Sequence, residues 1–433
     1  MSPKFSGDGS GESLNSSPGG EMPQLPVWLC GLSLLATGLI IAVGTAWAFQ
    51  RGGRDFDVFH HAWRLVLEDR GTEIYVNNPD RFLYAPGFGW LLSPLGYFPR
   101  DLGLAIWCFA KAAVIGFVVR ELGRRLSPHL PTALAIGALG VAMLARPLLV
   151  DFQYGQVNVF ILGGCVWALL SHFHREEVGL WDALPWFALS FLAVAKVFAI
   201  PLLAVPWLLK GPSRRKLAIE RAGVAAGLAL IVFAPAWTLG WEGNLQILRS
   251  WGDALLAKGL PLETHNQSFV AAVIRLLSGE PSHVIFKGSQ WVVLGWSALG
   301  PEQLKFLGLA WTCIWTGVIA AWLLAAPSRW PALHWASALI GMLILPAHLI
   351  WKPYFIMGLP AAILCVAQGA RAHAQGKLVY PLALGVIFLA INFSGYNFLP
   401  DWPAAILEGI SLMLWTHLAL IALSSPSKLL RAS

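Results

Sequence analysis

Apolar runs of membrane-spanning length recur along almost the whole chain, separated by short polar breaks. A helix that crosses a bilayer needs about 20 predominantly apolar residues. Runs of that order lie at 26–49, 102–119, 130–149, 157–172, 221–240, 302–325, 331–350, 353–369, 378–394 and 404–424. Two stretches are less regular. Residues 183–208 are apolar but interrupted by Lys196, Pro201 and Pro206, and read either as one long helix or as two short ones meeting at the lysine. Residues 82–97 contain Pro86, Pro94 and several glycines, and read as a span or as a re-entrant piece. The pattern predicts an all-α polytopic membrane protein of about twelve transmembrane helices.

The pattern changes after the first run. From Asp57 to Asp69 the spacing of Val58, Ala62, Leu65 and Leu67 predicts an amphipathic helix lying along a membrane interface. Residues 1–25, rich in Ser, Gly and Pro, read as a disordered cytoplasmic leader, and 26–433 as a single transmembrane domain. The run from Pro26 to Phe49 is longer than a signal-peptide core and no small-residue cleavage site follows it, so it is expected to remain as an anchor.

Composition supports lipid as the solvent. Hydrophobic residues make up 57% of the chain and charged ones only 12%, about half the charged share of a soluble domain. The 22 tryptophans suit two interfacial belts. The net charge of +7 reads as topology rather than nucleic-acid binding, because the basic residues fall in short loops. Lys210, Arg214, Arg215, Lys216 and Arg221 form the densest cluster; Arg329, then Arg371 with Lys377, then Lys428 with Arg431 follow in alternate loops. Placing these in the cytoplasm puts both termini there and leaves 50–101, 241–301 and the turn from His348 to Lys352 outside. Adding Arg120, Arg124 and Arg125 to the inner side requires 82–97 not to cross and 183–208 to cross twice.

Chemistry is sparse inside the apolar runs. Cys30, Cys108, Cys165, Cys313 and Cys365 each lie in one, with no C-x-x-C pair, so neither a disulfide framework nor a zinc site is expected. His60 and His61 lack a third ligand at metal spacing, and there is no P-loop, dinucleotide fingerprint or G-x-S-x-G. No metal and no cofactor is expected. The polar residues gather instead in the outer regions. Asp55, just past the first run, is a candidate general base for a sugar hydroxyl; the alternative is an ordinary helix start, with Asp57 capping and Asp55 left over. Gln156 and Asn158 sit with Asp151 at one short turn. As amides they suit sugar hydroxyls, or they satisfy the backbone of the turn; Asn266 and Gln267 carry the same two readings. Lys352, Arg275 and Lys196 are the candidate cations. Lys196 alternatively snorkels or pairs with a carbonyl, and Arg275 alternatively anchors the interface.

These features come in a telling order. Asp55, Phe56, Val58, Phe59 and Ala62 fit D-[FL]-x-V-[YF]-x-x-A after the first span, and Tyr75 follows about twenty residues later. Tyr84-Ala85-Pro86 resembles a Y-P-P entry with its first proline missing. Gly155-Gln156-Val157-Asn158 opens a span, Lys196 lies in an apolar hairpin, and Asn266-Gln267-Ser268 precedes Arg275. From about residue 50 to 360 the set resembles glycosyltransferase family 87, polyprenyl-phosphate-mannose-dependent mannosyltransferases of the C-type membrane fold. One element departs: a Ser-Pro-x-Ser-Trp motif followed by histidines is replaced by LPAHLIWKPYF, which keeps Pro346 and Trp351 and offers His348 and Lys352.

The resemblance implies an inverting hexosyltransferase of the cell (inner) membrane, working on the extracytoplasmic side with the amphipathic helix in its first, periplasmic-side loop. The sugar, mannose, would pass from a polyprenyl-phosphate donor to a lipid-linked acceptor, among membrane lipids and without nucleic acid. Asp55 would be the base. Lys352, Arg275, His348 and Lys196 would bind the donor phosphate, and Asp57, Tyr75, Tyr84, Gln156, Asn158, Asn266 and Gln267 would line the sugar and acceptor pocket. The alternatives are a lipid or sugar flippase, which would carry its polar residues along a midplane path in two related halves, and a ligase that transfers a whole glycan.

Overall fold

A computed structural model describes residues 22–76, 82–173, 179–209, 211, 213–257, 263–278, 282–284, 290–292, 295, 299–325, 331–395 and 397–425. Lys210, Arg329, Lys428, Arg431 and the first 21 residues of the expected leader lie outside that set; Met22 and Leu25 pack against the core.

The described chain is helical apart from a two-stranded antiparallel ribbon, Ser282–Val284 with Gln290–Val292. Four helices are long and apolar enough to cross a membrane: Val27–Arg51, Arg100–Leu126, Pro301–Leu324 and Lys352–Ala374. Three bent pairs raise this to seven: Leu130–Met143 with Ala145–Tyr154, Arg214–Phe233 with Ala236–Ala257, and Asp401–Gly409 with Leu412–Ser424, bent by 74°, 81° and 55°. Five more apolar helices of 10–17 residues make up the remaining runs read from the sequence. The chain is a polytopic membrane protein whose apolar runs are repeatedly broken.

The breaks have local causes. The apolar run 183–208 resolves into two pieces: the Ala183–Ala195 helix ends at Lys196, which is extended (φ −137°, ψ 106°), and a 3-10 turn, Val197–Ala204, carries Pro201. A 3-10 turn tolerates a proline that would clash inside an α-helix. The stretch 82–97 forms the short Pro86–Leu92 helix and the 3-10 turn Ser93–Tyr97, together too short for a crossing. They pack on the Arg54–Leu67 helix.

That helix begins at a sharp corner. Gly52 and Gly53 have φ of +81° and +46°, a left-handed conformation that residues with a Cβ rarely adopt. The two glycines end the Val27–Arg51 helix and restart the chain at once as Arg54–Leu67, with Asp55 and Asp57 in its first turn. Phe56, Phe59, Ala62 and Trp63 are buried on one face, and Arg54, His61 and Arg64 are exposed on the other.

With lipid outside, apolar burial does little to drive helices together, and close backbone approach takes over. The Arg100–Leu126 and Leu130–Met143 helices meet at Gly123, where an added Cβ would lie 2.2 Å from the carbonyl oxygen of Ala133. A second tie is electrostatic. Lys111, in the middle of the Arg100–Leu126 helix, and Asp151, on Ala145–Tyr154, are both fully buried, with Nζ 2.5 Å from Oδ1 and a further bond to the Asp151 carbonyl at 2.7 Å. Outward faces are apolar: Leu382, Val386 and Leu389 on Val379–Phe393, and Phe306 and Leu309 on Pro301–Ala325, are exposed as lipid contact requires.

Two predictions follow from these ties. Gly123→Ala lowers the detergent melting temperature, by an amount corresponding to about 1–3 kcal/mol of overpacking. Gly116→Ala on the same helix, where nothing lies within 4 Å, leaves it unchanged. Lys111→Met strands the Asp151 carboxylate and costs about 3–5 kcal/mol in thermal or denaturant unfolding, while adding Asp151→Asn recovers most of the loss.

Candidate active site

The site is built where the Asp55 corner meets the turn after Ala145–Tyr154. Gly155 caps that helix with φ +68°, and a Cβ on it would come within 2.6 Å of the Phe56 Cβ. Only glycine lets the turn press this closely on the first turn of Arg54–Leu67. Trp107 Nε1 donates to the Gly155 carbonyl at 2.8 Å and holds the turn from the other side.

Pressing the turn there brings Gln156 onto Asp55: the amide Nε2 of Gln156 donates to Asp55 Oδ2. The Gln156 carbonyl oxygen accepts from Lys196 Nζ at 2.7 Å and from the Tyr84 hydroxyl at 3.4 Å. Lys196 also donates to Asn158 Oδ1 at 3.0 Å, and Asn158 Nδ2 donates to Asp151 Oδ2 at 3.0 Å. A continuous chain of polar groups therefore runs from Asp55 through Gln156, Lys196, Asn158 and Asp151 to Lys111. Lys196 Nζ lies 4.1 Å from the centre of the Tyr354 ring, a cation–π contact. Burial, and next the Asp55 carboxylate, push the Tyr84 phenol well above its ordinary range, so it stays a donor. Tyr75 donates from its hydroxyl to the Tyr84 carbonyl at 2.7 Å and so braces the Tyr84 strand of the loop.

This arrangement has a chemical sense. Asp55 is partly exposed, and the neutral Gln156 amide donates to it. Lys196 acts on the far end of that amide, polarising it and strengthening its N–H donor. The Gln156 amide thus orients the carboxylate at Oδ2.

A second polar cluster lies at the other side of the 3-10 turn Lys352–Gly358, which also carries Tyr354. Lys352 Nζ sits 2.6 Å from Glu408 Oε1, and Arg146 Nη2 lies 2.5 Å from the same oxygen. Asn266 accepts on Oδ1 from the backbone N–H groups of Ser268 and Ile350, both at 3.1 Å, and donates to the His348 carbonyl. Gln267 donates to the carbonyls of Thr264 and Glu408 at 2.7 and 2.8 Å. Arg275 is 1% exposed and directs its fork at the carbonyls of Gly409, Glu263 and Asn266 and at Ser411 Oγ. Its burial lowers the guanidinium pKa to about 10, with Glu408 opposing the shift; it remains charged.

Of the candidate residues, the structure joins Asp55, Tyr84, Gln156, Asn158 and Lys196 directly, with Tyr75 in support. Lys352, Arg275, Asn266, Gln267 and His348 belong to the second cluster. There Asn266, Gln267 and Arg275 hold backbone, and the His348 ring is exposed with Thr312 Oγ1 3.4 Å away. Asp57 turns away from Gln156 to Arg100 Nε at 2.8 Å. Lys111, Arg146, Glu408 and Tyr354 were not among the candidates. The signal for the first three was a single charge inside an apolar run, which lipid makes costly.

The model of glycosyltransferase family 87 matches residues 82–351, more than half of the chain, in a stretch that starts after Asp55 and includes Gln156, Asn158, Lys196, Asn266, Gln267, Arg275 and His348. No curated protein and no solved structure gives a significant match. With its apolar helices and the family match together, the chain is a membrane glycosyltransferase and belongs to glycosyltransferase family 87.

Proposed function

We propose that this enzyme moves a hexose, mannose, from a polyprenyl-phosphate carrier to a lipid-linked glycan acceptor on the extracytoplasmic face, with inversion at the anomeric carbon. Family membership implies a lipid-linked sugar donor in general. The observation that carries the rest is the Asp55 carboxylate, partly exposed at the corner after the first membrane helix and aimed by Gln156.

In this reading Asp55 takes the proton of the acceptor hydroxyl as its oxygen attacks the anomeric carbon. The bond from that carbon to the phosphate oxygen breaks, and its electron pair leaves with the polyprenyl phosphate. The negative charge growing on the phosphate needs positive groups nearby. Lys196, which meets the Tyr354 ring, and Lys352, at the start of the same turn, supply them, with Arg275 as a further charge. Tyr84, Gln156 and Asn158 offer hydroxyl and amide groups to the sugar. Asn266 and Gln267 act by fixing the turn that presents His348. No cofactor enters the scheme.

The test uses purified protein in proteoliposomes with labelled polyprenyl-phosphate mannose and a membrane glycolipid acceptor. Asp55→Asn keeps the acceptor oxygen for Gln156 but is not basic. Transfer falls by about 10²–10⁴-fold with the elution profile and melting temperature unchanged. Turnover equal to that of the parent protein would reject Asp55 as the base. The new linkage has the opposite anomeric configuration to the donor, read by NMR, and retained configuration would remove the single-displacement scheme.

A further inference from the structure

Arg146 and Lys352 converge on one oxygen of Glu408. The distances are 2.5 and 2.6 Å, and the three side chains are 16%, 12% and 3% exposed. Among the described residues, two cations against one carboxylate leave one positive charge in excess. A buried cation without a matching anion is strongly unfavourable, so the cluster is short of one anion rather than closed.

Its hydrogen bonding says the same. Among the described residues Lys352 Nζ meets Glu408 alone, so one of its three N–H donors is engaged. Glu408 Oε2, buried without a hydrogen-bond partner among the described residues, is an acceptor and takes no part in holding the anion. Arg146 has its Nη1 on Ser394 Oγ at 3.1 Å, its Nη2 on Glu408, and its backbone N–H on Asn392 Oδ1 at 2.8 Å. Position 395 is glycine, and a Cβ there would lie 2.2 Å from Arg146 Nη2. The glycine leaves the space that the guanidinium occupies.

The cluster is also placed next to the Asp55 network. Lys352 opens the 3-10 turn that carries Tyr354, a geometry that rises about 2 Å per residue. Tyr354, two residues on, meets Lys196 Nζ with its ring at 4.1 Å, so this turn joins the two clusters along the chain. Arg146 stands at the start of the helix whose end bears Asp151.

We infer that Arg146 and Lys352 form a phosphate site for the lipid carrier, in which Glu408 holds the two cations together until the phosphate joins them. The inference rests on the lipid-phosphate donor proposed above and assigns new roles to Arg146 and Glu408. It makes phosphate affinity follow the net charge of the trio, an order that a purely structural salt bridge does not produce. Arg146→Gln leaves a neutral Lys352–Glu408 pair. Glu408→Gln leaves two cations facing the site. The double variant returns to one positive charge.

The experiment measures binding of a polyprenyl monophosphate to the full chain in detergent, by thermophoresis on the monodisperse fraction. The uncharged polyprenol and inorganic phosphate serve as parallel probes. Arg146→Gln weakens binding at least about tenfold, as expected for losing one charge-assisted contact. Glu408→Gln binds as tightly as the parent or tighter, and the double variant returns to within about threefold of the parent. If Glu408→Gln does not fold, the other two variants decide: a double variant as weak as Arg146→Gln overturns the assignment. So does polyprenol binding as tightly as its phosphate. Inorganic phosphate matching the lipid would overturn the lipid carrier as the occupant. Sugar transfer is scored separately. The charge order without any transfer would sink the enzymatic scheme alone, and transfer that depends on Asp55 without the charge order would sink only this site.

Discussion

A carboxylate and an ammonium group that are both cut off from water must find each other, and the active region hangs on the place where Asp151 and Lys111 do so. The second oxygen of Asp151 is left to hold Asn158, Asn158 holds Lys196, Lys196 holds Gln156, and Gln156 reaches Asp55. The links tie the turn after Ala145–Tyr154 to Lys196 on one side and to the corner after the first helix on the other. The ion pair between two long-range helices thus sets the position of a carboxylate at the corner after the first membrane helix. A site assembled in this way is preorganised by its neighbours rather than by a rigid sheet, which a lipid-embedded helical protein lacks.

Much of this architecture was legible in the pattern of apolar residues. The helices came out close to their runs because lipid leaves few other ways to satisfy a backbone. The break at Lys196 was visible as a charge followed by two prolines, and the corner at Gly52 and Gly53 lay beside the expected carboxylates. Pairing was not legible. Arg275 looked like a phosphate ligand, yet its fork holds three carbonyls and a serine. Asp57 stood two residues from Asp55, but residues two apart on a helix face different ways, and Arg100 claims it. Lys111, Arg146 and Glu408 find their partners across 40 to more than 250 positions, and no local pattern encodes that.

The two polar clusters divide the work of a transfer between them. One presents a carboxylate aimed by a neutral amide, and the other concentrates positive charge on a shared carboxylate. The 3-10 turn Lys352–Gly358 touches both, through Lys352 on one side and Tyr354 on the other. In the sequence this segment is LPAHLIWKPYF, the element that departs from the pattern the other motifs resemble. Its lysine has its own counter-ion, which that departure did not foretell.

The extended residue at Lys196 has an effect beyond its side chain. Ending the Ala183–Ala195 helix there leaves carbonyl groups of its last turn without the partners a continuous helix would supply. In hydrocarbon such groups are not tolerated unless something polar reaches them. Lys196 and the side-chain amides of Gln156 and Asn158 bring polar groups to that break. The end of the helix and the Asp55 network therefore share one polar seam between apolar helices.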